Sequence, residues 1–202
     1  MSEIVHNTPF KVAILTSGNG TNMEAVVRYS LETKESPYIV TKVLSDRPCK
    51  ALARAEQYGI KTRELDRRAD DFQDQLGEAL KEVDFIVLAG YLSILGPQLI
   101  KAFPNRILNI HPSLLPKYGG MGMYGMNVHE AVLVNGETES GCSCHLVNEK
   151  VDQGRVLVQK KVAVKPDDTP ASLRDRILPL EHICLVEGLL IAIAEMNQES
   201  IQ

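Results

Sequence analysis

The chain has 202 residues, 44% of them hydrophobic and 24% charged, with a net charge of −4 at pH 7. This is the balance of a globular protein with room for a core, built as one α/β domain or as two lobes sharing a sheet. The acidic charge and the lack of any Lys/Arg run speak against a nucleic-acid partner, and no uninterrupted apolar run reaches the roughly 18 residues that a membrane span needs. The start, Met-Ser-Glu-Ile-Val-His-Asn-Thr-Pro, lacks the basic and apolar regions of a signal peptide, so the expected location is cytoplasmic.

In chain order, Phe-Lys-Val-Ala-Ile-Leu-Thr at 10–16 reads as a buried strand followed by a glycine-rich turn. Apolar residues Met23, Val26, Val27 and Tyr29 recur at helical spacing and predict a helix over 22–33. A second strand follows at 38–44, then a helix over 51–58 closed by Gly59. A third strand is expected at 60–65, a charged amphipathic helix at 69–82, and a fully buried strand at 85–89. Residues 94–102 read as helical and 106–111 as the fifth strand. Pro104-Asn105 marks a boundary between an N-terminal mononucleotide-binding lobe, 8–105, and a C-terminal catalytic lobe, 106–202, unless the two form one continuous domain. The second half holds a glycine-rich loop at 118–125, a short helix at 128–134, strands at 141–147 and 155–164, and a long helix from Asp168-Thr169-Pro170 to about Met196.

Strands alternating with helices imply right-handed βαβ units, a Rossmann-like parallel sheet flanked by helices, with the second half extending it. Ligands on such sheets bind beyond the carboxyl ends of the strands. Residues 17–22, 90–95 and 109–113 all fall there. Ser-Gly-Asn-Gly-Thr-Asn at 17–22 sits between strand and helix, where glycines admit an anion and free N–H groups attract it. Met23 stands where the dinucleotide fingerprint requires glycine, so a single phosphate fits this loop better than a pyrophosphate. A ligand-free turn is the alternative.

The most informative stretch is Ile-Leu-Asn-Ile-His-Pro-Ser-Leu-Leu-Pro at 107–116. Side chains alternate along a strand, so Asn109 and His111 share a face where the prolines end the pairing. A carboxamide beside an imidazole is suited to oxyanion stabilisation and proton transfer. On 141–147, Ser143 and His145 share one face, while Cys142, Cys144 and Leu146 share the other. The four cysteines lack a metal-ligand spacing and read as buried thiols, and no metal is expected. Asp152, in Val-Asp-Gln-Gly, either favours its turn or lies against His111 and holds it protonated.

These motifs, with Leu-Ala-Gly-Tyr at 88–91 and the run continuing through Lys117-Tyr118, resemble the small folate-dependent formyltransferases that act on glycinamide ribonucleotide in purine synthesis. The resemblance covers residues from Lys11 to about Glu195. It implies the formyltransferase fold and formyl transfer from 10-formyltetrahydrofolate, as co-substrate, to the amine of the ribonucleotide. It implies that Asn109, His111 and Asp152 are catalytic. Gly20, Thr21 and Asn22 would hold the phosphate, with Ser143, His145 and Glu181 near the nucleotide. Leu92, Ser93, Ile94, Leu95, Asn109 and Val151 would bind the folate. Small-molecule partners and a homodimer agree with it. Three departures stand out: the loop at 119–127 is unusually glycine-rich, Ser93 stands where many relatives carry arginine, and the basic residue near the third helix is Arg67 or Arg68. Among related chemistries, a formyl-folate hydrolase would carry His-His in place of His111-Pro112 and a preceding domain. A methionyl-tRNA formyltransferase would add a C-terminal RNA-binding domain, and a sugar-nucleotide formyltransferase a different N-terminal loop. A dinucleotide-binding oxidoreductase is disfavoured by Met23, and a non-catalytic ligand-binding domain would not need Asn109, His111 and Asp152 together.

Overall fold

A computed structural model of the chain describes residues 8–199. The leader reading of residues 1–7, and the end of the second lobe at 200–202, fall outside that range. Among the described residues, seven strands form one sheet in the order β3-β2-β1-β4-β5-β6-β7. They are β1 (Phe10–Thr16), β2 (Tyr38–Ser45), β3 (Lys61–Glu64), β4 (Phe85–Leu88), β5 (Ile107–His111), β6 (Glu139–Leu146) and β7 (Val156–Ala163). The first five run parallel, whereas β6 and β7 are antiparallel to their neighbours. The helices described flank the sheet: α1 (Thr21–Glu32), α2 (Lys50–Gln57), α3 (Phe72–Leu80), α4 (Pro97–Ala102), α5 (Met126–Val134) and α6 (Pro170–Glu199). Both halves of the chain share this sheet, which runs without a break across Asn105.

Strand alternation sorts the core into two layers. Val12, Ile14, Phe85, Val87, Leu108 and Ile110 face α1, α2, α5 and α6. Ala13, Leu15, Ile86, Leu88 and Ile107 face α3 and α4. The order of β1 between β2 and β4 makes their carboxyl ends a topological switch point, where the loops after β1 and β4 diverge to opposite sides. α6 is long and apolar enough to cross a membrane, yet it packs on the sheet through buried Leu173, Ile177, Cys184, Leu185, Leu189 and Ile193. At Gly188 the helix approaches β6 so closely that a Cβ would lie 2.2 Å from Cys144 Sγ.

The helix expected over 94–102 begins only at Pro97. Proline suits the first helical position and forces the residue before it to be extended, and Gly96 has φ −66 and ψ 148. Residues 92–95 therefore remain a loop at the carboxyl edge. The helix expected over 69–82 shortens likewise to Phe72–Leu80.

Candidate functional site

Because Leu108 and Ile110 are buried toward α6, Asn109 and His111 project from the other face of β5. The antiparallel register sets Asn109 opposite His145 and His111 opposite Ser143. Cross-strand partners in such a pair lie within about 5 Å, so four polar side chains gather on one face. On the reverse of β6, Cys142 and Cys144 are fully buried free thiols in the apolar core.

Asp152 completes the group from the turn between β6 and β7. Its φ of 56° is left-handed, and Gly154 lies so near the end of β6 that a Cβ would overlap the Leu146 carbonyl oxygen at 1.7 Å. Asp152 Oδ2 lies 3.6 Å from His111 Nδ1, and Oδ1 lies 3.5 Å from His145 Nε2. The Gly120 N–H donates to Oδ2 at 2.9 Å. Burial alone would raise the Asp152 pKa. The His145 hydrogen bond, the charge of His111 and the Gly120 N–H outweigh burial and hold it below the usual carboxylate value.

His111 is buried, and its Nε2 donates to the Tyr118 carbonyl at 2.7 Å. Burial lowers its pKa, Asp152 and the Tyr118 carbonyl raise it, and the balance lies below the ordinary imidazole value. The expected support from Asp152 is thus present but outweighed by desolvation. Asn109 Nδ2 lies 3.0 Å from His145 Nε2 and 3.5 Å from Asp152 Oδ1.

Ser143 behaves differently from its strand neighbour. Its hydroxyl donates to the Ser113 carbonyl at 2.6 Å and accepts from the Leu115 N–H and the Gln159 amide. A hydroxyl has one donor and two acceptor positions, so Ser143 anchors the 112–116 turn and keeps nothing for a ligand.

Two strand spacings away, about 10 Å, lies the loop after β1. Gly20 has φ 82°, and a Cβ there would meet Ala51 at 2.6 Å, so only glycine fits beside α2. Thr21 and Asn22 open α1 with their N–H groups unpaired within the helix. Asn22 Nδ2 donates to Glu181 Oε2 at 2.6 Å, joining two expected nucleotide contacts that lie 159 residues apart. Burial raises the Glu181 pKa against that hydrogen bond, and Asn22 Oδ1 is buried without a partner.

The 92–95 loop is tied down at each end. Ser17 Oγ accepts the Leu92 N–H at 2.9 Å, Ser93 Oγ donates to Asp46 Oδ2 at 2.6 Å, and Gln73 accepts the Gly96 N–H. Asp46 is fully buried and paired with Arg47 through two hydrogen bonds. Sequence reading missed Asp46, although its place at the carboxyl end of β2 is the signal that finds it. Arg67 donates its N–H to the Asp46 carbonyl, while Arg68 pairs with exposed Asp66. Also missed was His129 on α5, which is buried with Nδ1 unpartnered. Burial, Arg174 and His111 push its pKa down to about 4.

A cavity of about 480 Å³ opens beside Asp152, walled by Leu115, Pro116, Gly119, Gly120, Val151 and Gln153 among others. That volume is in the range of small-molecule sites. Val151 lies in its wall and the 92–95 loop does not. A larger cleft of about 800 Å³ between α3 and α4 contains none of the expected site residues. Among the described residues, no group of three His, Cys, Asp or Glu side chains is placed to hold a metal.

By architecture this is an α/β protein whose polar cluster lies on the carboxyl edge of a doubly wound sheet. Comparison with known proteins gives the family: residues 10–189 match the formyl transferase family, and the chain belongs to it. It is 39% identical over 184 residues to the chloroplastic phosphoribosylglycinamide formyltransferase of Arabidopsis thaliana, covering 88% of this chain and 63% of that protein. It is 35% identical over 179 residues to the Haemophilus influenzae phosphoribosylglycinamide formyltransferase, covering 85% and 82%. The crystal structure of glycinamide ribonucleotide transformylase 1 from Symbiobacterium toebii superposes with TM-score 0.84 at 36% identity, over 93% of this chain and 89% of that one. The chain spans under two thirds of the plant relatives, and about 18% of the Gallus gallus trifunctional purine biosynthetic protein that it also matches.

Proposed function

We propose that this chain transfers the formyl group of 10-formyltetrahydrofolate to the amine of glycinamide ribonucleotide, a cytoplasmic step of purine synthesis. The observation that carries the reading is the convergence of Asn109, His111 and Asp152 on one face, with Asp152 Oδ2 3.6 Å from His111 Nδ1, in a member of the formyl transferase family.

The amine nitrogen attacks the formyl carbon, and the carbonyl oxygen takes up the negative charge. The Asn109 carboxamide donates a hydrogen bond to that oxygen. Burial works against the protonated His111 ring, and the developing oxyanion supplies the negative charge that favours it; the charged ring then acts through its field, because its Nε2–H is already committed to the Tyr118 carbonyl. Asp152 supplies the counter-charge that favours a protonated imidazole, and a water beside it relays the amine proton to N10. The C–N10 bond breaks as the oxyanion collapses, with no covalent enzyme intermediate, so the gain lies in orienting two bound substrates. Gly20, Thr21 and Asn22 hold the phosphate, and Glu181, tied to Asn22, faces the nucleotide beside it. The folate occupies the cavity beside Val151 and Asp152, with the anchored 92–95 loop as the opposite edge.

The test is an absorbance assay of folate deformylation with and without glycinamide ribonucleotide. Turnover that requires the nucleotide and yields one formylated product per folate is the expected result. Deformylation without the nucleotide would make the protein a hydrolase, and no turnover in either mixture would reject the acceptor.

A further inference from the structure

Two imidazoles flank one carboxylate, and only one of them belongs to the expected catalytic trio. The other, His145, is buried, and its hydrogen bonds restrict how it can be protonated. Its Nδ1 lies 2.9 Å from the Leu146 carbonyl oxygen, which can only accept, so Nδ1 carries a hydrogen in every state. Nε2 therefore carries a hydrogen only when the ring is charged. Nε2 is 3.0 Å from the carboxamide of Asn109 and 3.5 Å from Asp152 Oδ1.

The consequence falls on Asn109. Against a neutral His145, Nε2 is an acceptor and must receive an Asn109 N–H. The second N–H of the same amide then points toward Asp152 Oδ1 at 3.5 Å, as the structure shows. Both donors face inward and the amide oxygen faces the reacting centre, where it is the wrong polarity for an oxyanion. Against a charged His145, Nε2 donates, and the amide must present its oxygen. A half-turn of the carboxamide, whose two ends are nearly the same size, then sends both N–H groups outward. We infer that His145 is a positioning residue whose Nε2 proton determines whether Asn109 offers the reacting centre a donor or an acceptor.

The groups facing His145 are Asp152 from the β6–β7 turn, which favours its charge, and His111 from β5, whose charge opposes it. The inference rests on the role proposed for Asn109, but its first test uses no substrate.

That test follows the Asn109 side-chain amide of the ¹⁵N-labelled full chain through pH, assigned by its loss in Asn109→Asp, alongside the ring nitrogens of His145. The Asn109 resonances are expected to shift with the midpoint of His145 Nε2, and to stop shifting in His145→Phe. Kinetically, His145→Phe is expected to lose about 10²-fold in kcat, the scale of one lost oxyanion donor, with both KM values retained. The pH profile of kcat in His145→Phe is also expected to lack the limb that the wild-type His145 supplies. An Asn109 amide that stays fixed while His145 titrates would overturn the inference, as would a His145→Phe enzyme with wild-type kcat. Coupled titration in a chain that transfers no formyl group would leave the inference standing and reject the proposed reaction instead.

Discussion

The two faces of β6 do opposite work with alternate residues. Toward α6, Cys142, Cys144 and Leu146 are buried in apolar contact, and the fit is so close that Gly188 admits no side chain. Toward β5's polar face, Ser143 and His145 make hydrogen bonds with nearly every atom able to form one. The difference shows how an eight-residue strand can be rigid core and reaction floor at once. The apolar face fixes the height of the strand, and the polar face inherits that precision without carrying the packing itself.

The sharpest way to break the comparison is at the polar face. Asp152→Asn keeps the shape but removes the charge between the two imidazoles, and is expected to lower kcat by about 10²–10³. Far-UV circular dichroism should be unchanged, and a variant with near-wild-type turnover would remove Asp152 from the mechanism.

Next in size is a titration behind that face. His129 takes up its proton only near pH 4 when folded, against the ordinary imidazole value when unfolded. Between those values the unfolded chain binds more protons, so stability is full above about pH 6.5 and falls as pH drops toward 4. The loss amounts to about 3 kcal/mol at its limit. Urea midpoints at pH 7.5 and pH 5 should therefore differ more in the wild-type chain than in His129→Gln. Equal differences would mean that another group sets the acid sensitivity.

The smallest effect is expected from the apolar face. Gly188→Ala places a Cβ 2.2 Å from Cys144 Sγ. Overpacking of this kind costs about 1–3 kcal/mol. Adding Cys144→Ala should restore most of the lost thermal stability. If the double variant were no better than the single one, the close contact would not be what limits the site.

Much of this division was legible in the sequence, because alternation alone separates Asn109 and His111 from Leu108 and Ile110, and Ser143 from Cys142. The glycine loop at 17–22 announced itself by its place between strand and helix. What escaped was whatever depends on backbone groups or on distant partners. Nothing in the order of residues says that the Tyr118 carbonyl takes the His111 N–H, or that Ser143 is fully committed to the 112–116 turn. The late start of the helix at Pro97 was written in Gly96-Pro97 but masked by the helical spacing around it. The antiparallel course of β6 and β7 follows from pairing partners, which periodicity does not specify.

The placement of Gly154 against the Leu146 carbonyl has a wider bearing. Asp152 is gauged against the end of the very strand that carries His145, by a contact within one hairpin. The separation between this carboxylate and the His145 imidazole is therefore a local length, whereas its separation from His111 is set across the pairing of β5 with β6. Flexing of the parallel half of the sheet on nucleotide binding leaves the first spacing unaltered and reaches the reacting centre only through the second.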